Sequence, residues 1–122
     1  MTNKKMLLLK EKILAEIKKP PTVEELAVWA NVSPSRLRQI FKQETGMPFV
    51  TYTRHLQLER ARESLETTLD NIQQISVAVG FHDQSYFNRL FKEKYGLTPI
   101  EYRDNNHQDL KKLMEKSQRP IN

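Results

Sequence analysis

PSRLRQIFKQETG (Pro34–Gly46) and QSYFNRLFKEKYG (Gln84–Gly96) are one pattern written twice, fifty residues apart. Leu37, Ile40, Phe41, Lys42, Gly46, Met47 and Tyr52 fall on Phe87, Leu90, Phe91, Lys92, Gly96, Leu97 and Tyr102. A helix, its glycine stop and the aromatic that follows therefore recur together, and an internal repeat of this kind decides a fold. Apolar residues three and four apart predict an amphipathic helix in each copy. Ser33 followed by Pro34 reads as N-cap and first helical residue, and Asp83 reads as the N-cap of the second copy. Gly46 and Gly96 stand where a helix ends in a left-handed residue.

Upstream of each copy the correspondence continues. Leu26, Ala27, Ala30, Asn31, Val32 and Ser33 match Ile75, Ser76, Val79, Gly80, Phe81 and Asp83 once His82 is allowed as an extra turn residue. Each unit is thus a short helix with a small residue near its middle, a tight turn and a longer capped helix, which is a helix-turn-helix. The small residue lets the two helices approach. Asn31 and Gly80 occupy the turn position where φ is positive, which Asn tolerates and Gly adopts at no steric cost.

The rest of the chain reads as helix too. Met6, Leu9, Ile13 and Ile17 share a face, and that helix stops before Pro20 and Pro21. Thr22 with Glu25 and Asn71 with Gln74 form capping boxes, while Thr98, Pro99 and Glu101 start a last helix. Seven helices are predicted, at about 4–18, 23–30, 34–45, 49–66, 72–79, 84–95 and 99–104. The expected fold is all-α and homeodomain-like, with two helix-turn-helix subdomains. Residues 1–48 form the first, 49–66 a connecting helix and 67–104 the second, leaving a tail at 105–122.

Composition narrows the function. Across 122 residues, 20 Lys plus Arg face 15 Asp plus Glu, a net charge of +5, with 38% apolar residues and no Cys. A chain of this length makes one domain or two very small ones. Lack of Cys excludes a disulfide framework, thiolate zinc and thiol catalysis, and suits a reducing compartment, so the cytoplasm is the expected location. No run approaches the roughly 20 apolar residues of a spanning helix, and Met6 to Leu9 is too short for a signal-peptide core, so neither a membrane nor export is expected. His55, His82 and His107 lack metal-ligand spacing, and no metal is expected. His82, Asp83 and Ser85 suggest a catalytic triad, yet Asp83 is better used as an N-cap and no glycine-rich oxyanion turn accompanies it. Neither enzymatic activity nor a cofactor is expected.

What the repeat exposes points elsewhere. With Leu37, Ile40 and Phe41 turned inward, 100° per residue places Ser35, Arg38, Gln39 and Lys42 on the opposite face; Ser85, Asn88, Arg89 and Lys92 follow in the second copy. These side-chain types read base edges: Arg pairs with guanine, Gln or Asn with adenine, and Ser with several partners, while Lys takes phosphate. Two donor-rich faces in a chain with surplus positive charge favour double-stranded DNA as the partner. The helix between the units spans roughly 27 Å at 1.5 Å per residue, near the approximate 34 Å between successive major-groove faces. Two recognition helices, 34–45 and 84–95, are therefore expected to enter adjacent major-groove segments.

These residues also resemble a known family, the AraC/XylS transcriptional regulators. In the first unit the resemblance rests on Leu26-Ala27, Val32-Ser33, Leu37, the run Phe41 to Gly46, and Leu56 through Arg60 and Ala61. The second unit carries the more specific part: Ile75, Val79-Gly80-Phe81, Asp83 to Phe87, Arg89, Phe91-Lys92, Tyr95 to Pro99 and Tyr102-Arg103. Two positions depart from it, Ser76 in place of a common Ala and Pro48-Phe49 in place of Ser or Thr followed by Pro. By this resemblance Ser35, Arg38 and Gln39, and Ser85, Asn88 and Arg89, fall on base-contacting positions, the same residues that helical geometry selects. The resemblance also implies activation through contact with RNA polymerase. It leaves open a stand-alone regulator or a separated C-terminal domain of a larger one, and it implies no small-molecule effector site in this chain.

Arg36, Lys42, Arg54, Arg60, Tyr86 and Lys92 are the expected backbone contacts. Arg60 and Arg62 have an alternative in Glu59, Glu63 and Glu66 on their own helix. Tyr52, Tyr95 and Tyr102 belong to the repeated core pattern and are expected to pack. Two rival readings stand beside DNA binding. A helical protein-interaction module would use Met6 to Leu9, or the Leu110, Leu113, Met114 stripe, as a docking surface. An RNA-binding protein would share the charge, although the glycine loops and aromatic strands of common RNA modules are missing.

Overall fold

The structure is a computed structural model and describes residues 3–107. Among these, seven helices and no strands are found: α1 Asn3–Ala15, α2 Val23–Ala30, α3 Pro34–Thr45, α4 Phe49–Thr67, α5 Ile72–Ala78, α6 Gln84–Tyr95 and α7 at 99–107. None is long and apolar enough to cross a membrane. Helices α2, α3 and α6 have the predicted limits, and the others differ at their ends.

α1 stops at Ala15 where the apolar spacing predicts Lys18. The chain tightens there: the Glu16 N–H donates to the Ile13 carbonyl at 3.1 Å and the Lys19 N–H to the Glu16 carbonyl at 3.0 Å. Such i→i+3 bonds end an α-helix without unburying its last apolar residue. Ile17 therefore keeps its place in the core, and its carbonyl accepts from Gln57 Nε2 at 3.1 Å. α4 runs one residue past the expected 66. α5 ends one residue early because Gly80, at φ +101°, reverses the chain and lets the Phe81 N–H reach the Ser76 carbonyl at 2.8 Å. α7 continues past 104 to at least 107. The Leu110, Leu113, Met114 stripe lies outside the described residues.

The chain divides into two compact units. The first extends to Arg60 and includes Ala78–Gly80; the second comprises Ala61–Val77 and the chain from Phe81 onward. In the first, Leu9, Ile13 and Ile17 meet Leu26, Ala27, Leu37, Phe41, Tyr52 and Leu56, all at most 9% exposed. Phe41 sits at the centre, with Phe49 edge-on at 5.0 Å and Tyr52 at 5.6 Å. In the second, Phe87 packs on Phe81 at 5.1 Å and on Phe91 at 5.9 Å, and Phe91 meets Tyr95 and Tyr102 at 4.6 and 5.7 Å. Burying each of these rings contributes roughly 1.5–3 kcal/mol. Tyr52, Tyr95 and Tyr102 thus pack as expected.

Arg103 of α7 closes the second unit. Its Nε donates to the Leu65 carbonyl at 3.2 Å, Nη2 to the Thr68 and Ser64 carbonyls at 3.2 and 3.5 Å, and Nη1 to that of Asp70. These acceptors are the last turn of α4 and the loop after it, where a cation complements the helix dipole; the Ser64 carbonyl also accepts from the Thr68 N–H at 3.0 Å. Beside it the Tyr102 hydroxyl donates to Glu66 Oε1.

Candidate nucleic-acid interface

Each second helix is aimed by the turn before it. In the first unit Thr22 caps α2, its hydroxyl accepting from the Glu25 N–H at 3.1 Å, and the helix ends at Asn31 with φ +57°. Bonds from the Asn31 and Val32 N–H groups to the Val28 and Ala27 carbonyls, 3.2 and 3.0 Å, close the turn. Ala27, 1% exposed, supplies the small side chain that close helix approach requires. Ser33 then starts α3 by accepting from the Arg36 N–H at 3.1 Å.

The second unit reaches the same form with different chemistry. Asn71 and Gln74 exchange side chain-to-backbone bonds of 2.8 and 2.9 Å, a complete capping box. Ser76 replaces Ala at the close approach at no cost in orphaned polar atoms, because its hydroxyl donates to the Gln73 carbonyl at 2.9 Å. Asp83 caps α6 through Oδ1, which accepts from the Ser85 and Tyr86 N–H groups at 2.9 and 3.4 Å. With its carboxylate so used, the His82, Asp83, Ser85 arrangement serves helix initiation. Among the described residues no cluster of His, Cys, Asp or Glu could hold a metal ion.

The outward face of α3 carries all its expected residues. Leu37, Ile40 and Phe41 are buried, while Ser35, Arg36, Arg38, Gln39 and Lys42 are exposed. Arg36 Nη1 donates to Gln39 Oε1 at 3.4 Å. Arg38 is less independent than its position suggests, since its Nη2 donates to Glu24 Oε1 of α2 at 2.8 Å. Hydrogen bonding with the backbone and with Arg38 holds the Glu24 carboxyl below the ordinary carboxylate range.

On α6 the face is graded. Ser85, Arg89 and Lys92 are exposed, Asn88 and Tyr86 are half-buried, and Phe87 and Phe91 face inward. The Arg89 guanidinium lies 5.2 Å over the Tyr86 ring, which also leans on Phe81 at 6.0 Å. Tyr86 therefore serves as a platform for an arginine. Asn88 Oδ1 is enclosed and has no hydrogen-bond partner. To meet both the N6 and N7 atoms of an adenine, Asn88 must turn its amide.

The backbone candidates on α4 are more occupied. Arg54 and Arg60 are half-buried, and Arg54 Nη1 donates to Gln57 Oε1 at 3.1 Å. Arg62 pairs with Glu66 at 3.3 Å, the within-helix alternative. Glu24, Gln57 and Arg103 are structural participants that sequence reasoning missed. Within Met6 to Leu9, Leu9 is buried and Met6 packs on the core, whereas Leu7 and Leu8 are exposed. Leu8 and Trp29 line a shallow cavity of about 280 Å³, and Lys12 Nζ lies 5.5 Å from the Trp29 ring.

Residues 26–105 match a family described as a helix-turn-helix domain, and the solved structures that share this fold include AraC-type DNA-binding domains. The chain belongs to the AraC-type helix-turn-helix family. One such structure, an AraC-type transcriptional regulator from Chromobacterium violaceum, is 30% identical with a TM-score of 0.81, covering 86% of this chain and 94% of that one. The uncharacterized transcriptional regulator YpdC of Escherichia coli K12 is 36% identical over 83 residues, 68% of this chain and 29% of that protein. The transcriptional activator RhaR of Escherichia coli K12 is 33% identical over 97 residues, 80% of this chain and 34% of that protein. This AraC-type domain thus spans about a third or less of the length of these two curated relatives.

Proposed function

We propose that this chain binds duplex DNA sequence-specifically, as the DNA-binding part of a transcription regulator, with α3 and α6 as its recognition helices. Ser35, Arg38 and Gln39 read one major-groove segment, and Ser85, Asn88 and Arg89 read the next. Arg36, Lys42, Arg54, Arg60, Tyr86 and Lys92 hold the phosphates. The readers belong to the parts at 1–48 and 67–104, with 49–66 as the connection. The observation that carries this reading is the doubled geometry: in both units the second helix buries its aromatic face and turns Ser and Arg outward from a capped, tight turn. Regulator relatives support the transcriptional part. RNA polymerase is the partner through which such a domain activates, and the chain works in the cytoplasm without catalysis, cofactor or effector site of its own.

Selection of bound duplexes from a randomised pool, followed by anisotropy titration at several salt concentrations, tests the reading. A defined two-part site is expected, with affinity falling linearly in log salt. Triple alanine replacement at Ser35, Arg38 and Gln39 should erase one part, and replacement at Ser85, Asn88 and Arg89 the other. Binding without base preference, or tighter binding to single-stranded RNA, would refute it.

A further inference from the structure

Glu24 puts a negative charge beside the reading face of a chain whose net charge is +5. Stability does not explain the contact, since both side chains of the Glu24–Arg38 pair are more than half exposed, at 62% and 53%. Exposed pairs of this kind contribute about 0–1 kcal/mol. Glu24 is also unnecessary as the acid of the first helical turn, because Glu25 stands beside it. Toward DNA it is unfavourable, since a carboxylate repels phosphate.

The repeat shows when the acid is present. The correspondence of Leu26 with Ile75 puts Gln73 in the place of Glu24, and the fifty-residue correspondence puts Asn88 in the place of Arg38. A charged partner accompanies the charged reader, and a neutral residue accompanies the neutral one. An unpaired arginine in a groove is drawn to the nearest phosphate as readily as to a base edge. One whose Nη2 is held at 2.8 Å by a carboxylate keeps its remaining donors for a two-bond contact with guanine.

We propose that Glu24 is a positioning and specificity-determining residue, fixing one edge of the Arg38 guanidinium and cancelling its pull toward phosphate. Arg38 thereby reads base identity and does not clamp the backbone. The proposal rests on the reading of Arg38 as a base contact given above.

The test compares the intact chain with Glu24→Ala, Glu24→Gln, Arg38→Ala and the Glu24→Ala/Arg38→Ala double variant. Each is titrated against the selected duplex, its versions altered at the base pair whose preference Arg38→Ala removes, and a random duplex. Glu24→Ala should lower discrimination at that base pair about three- to tenfold, tighten random-duplex binding, and steepen the log-log salt slope by about 0.9. Glu24→Gln keeps an acceptor for Arg38 but not the charge, so it should steepen the slope while retaining the base preference within about twofold. In the Arg38→Ala background, Glu24→Ala should not alter base preference. The proposal is overturned if Glu24→Ala leaves discrimination unchanged, or if it shifts base preference equally without Arg38. Should Arg38→Ala itself leave every base preference intact, the reading of Arg38 falls and this proposal with it. Loss of preference in Arg38→Ala but not in Glu24→Ala removes only the role of Glu24.

Discussion

Replacing Gly80 by alanine separates two reasons for a glycine that Gly46 and Gly96 do not combine. All three have positive φ, at +101°, +74° and +80°. Placing an L-residue in that region costs about 1–2 kcal/mol. A Cβ on Gly46 or Gly96 would meet nothing within 4 Å, so Gly46→Ala and Gly96→Ala should lose only that amount. A Cβ on Gly80 would lie 2.5 Å from the Lys18 carbonyl oxygen and 2.7 Å from Gln57 Nε2. The carbonyl belongs to backbone and yields little, so the Gln57 amide must move and abandon its buried bond to the Ile17 carbonyl. Leaving that acceptor unpaired adds roughly 1–3 kcal/mol, for a total near 2–5 kcal/mol. At about 4 °C per kcal/mol, the expected Tm losses are roughly 4–8 °C for the outer glycines and 8–20 °C for Gly80. Urea and thermal unfolding followed by both far-UV dichroism and tyrosine fluorescence would measure this and reveal any separate melting of the two units. Equal losses at all three glycines would refute the steric argument.

Four further outcomes are expected. Arg89→Ala should weaken specific binding by about 1–3 kcal/mol and relax preference at one base pair, measured on a panel of single-substituted duplexes; uniform weakening would reassign Arg89 to the backbone. Lys92→Ala should weaken all duplexes alike and lower the salt slope by about one, and an unchanged slope would count against a phosphate contact. Arg103→Ala should cost about 1.5–3 kcal/mol in urea unfolding, because the carbonyls that end α4 lose a charged donor; a change under about 0.5 kcal/mol would refute that role. Burial raises the Tyr52 phenol above its ordinary 10.0. The unfolded chain therefore releases that proton first, so this stabilising contribution is present below pH 10 and lost as pH rises beyond it. Tyr52→Phe should flatten the alkaline fall in urea midpoint, and an unaltered slope would contradict the assignment.

What the sequence disclosed was local. Helix-turn-helix units follow from signals a few residues apart: Thr22, Ser33 and Asp83 as caps, Asn31 and Gly80 as turns, and the i, i+3, i+4 rhythm around Phe41 and Phe91. The outward faces followed by rotation, and Ser35, Arg36, Arg38, Gln39, Ser85, Arg89 and Lys92 are exposed in the structure. Interactions between distant positions stayed hidden. Nothing in the local pattern links Glu24 to Arg38 across 14 residues, Gln57 to Ile17 across 40, or Arg103 to Leu65 across 38. The early end of α1 belongs to the same class, since the Ile17 carbonyl is claimed by Gln57 and not by another helical turn. Asn88 was correctly placed on its helix, but the enclosure of its amide oxygen depends on packing around it.

Arg103 bears on how the protein is made. Its four acceptors precede it by 33 to 39 residues. During synthesis those carbonyls emerge well before the guanidinium that donates to them, and at about 5–20 residues per second the delay lasts seconds. A nascent chain halted ahead of α7 would carry a frayed end on its longest helix. Chains stalled on C-terminal linkers of graded length, so that residue 103 lies just inside or just outside the exit tunnel, and challenged with protease, would show whether the second unit locks only once that arginine has emerged.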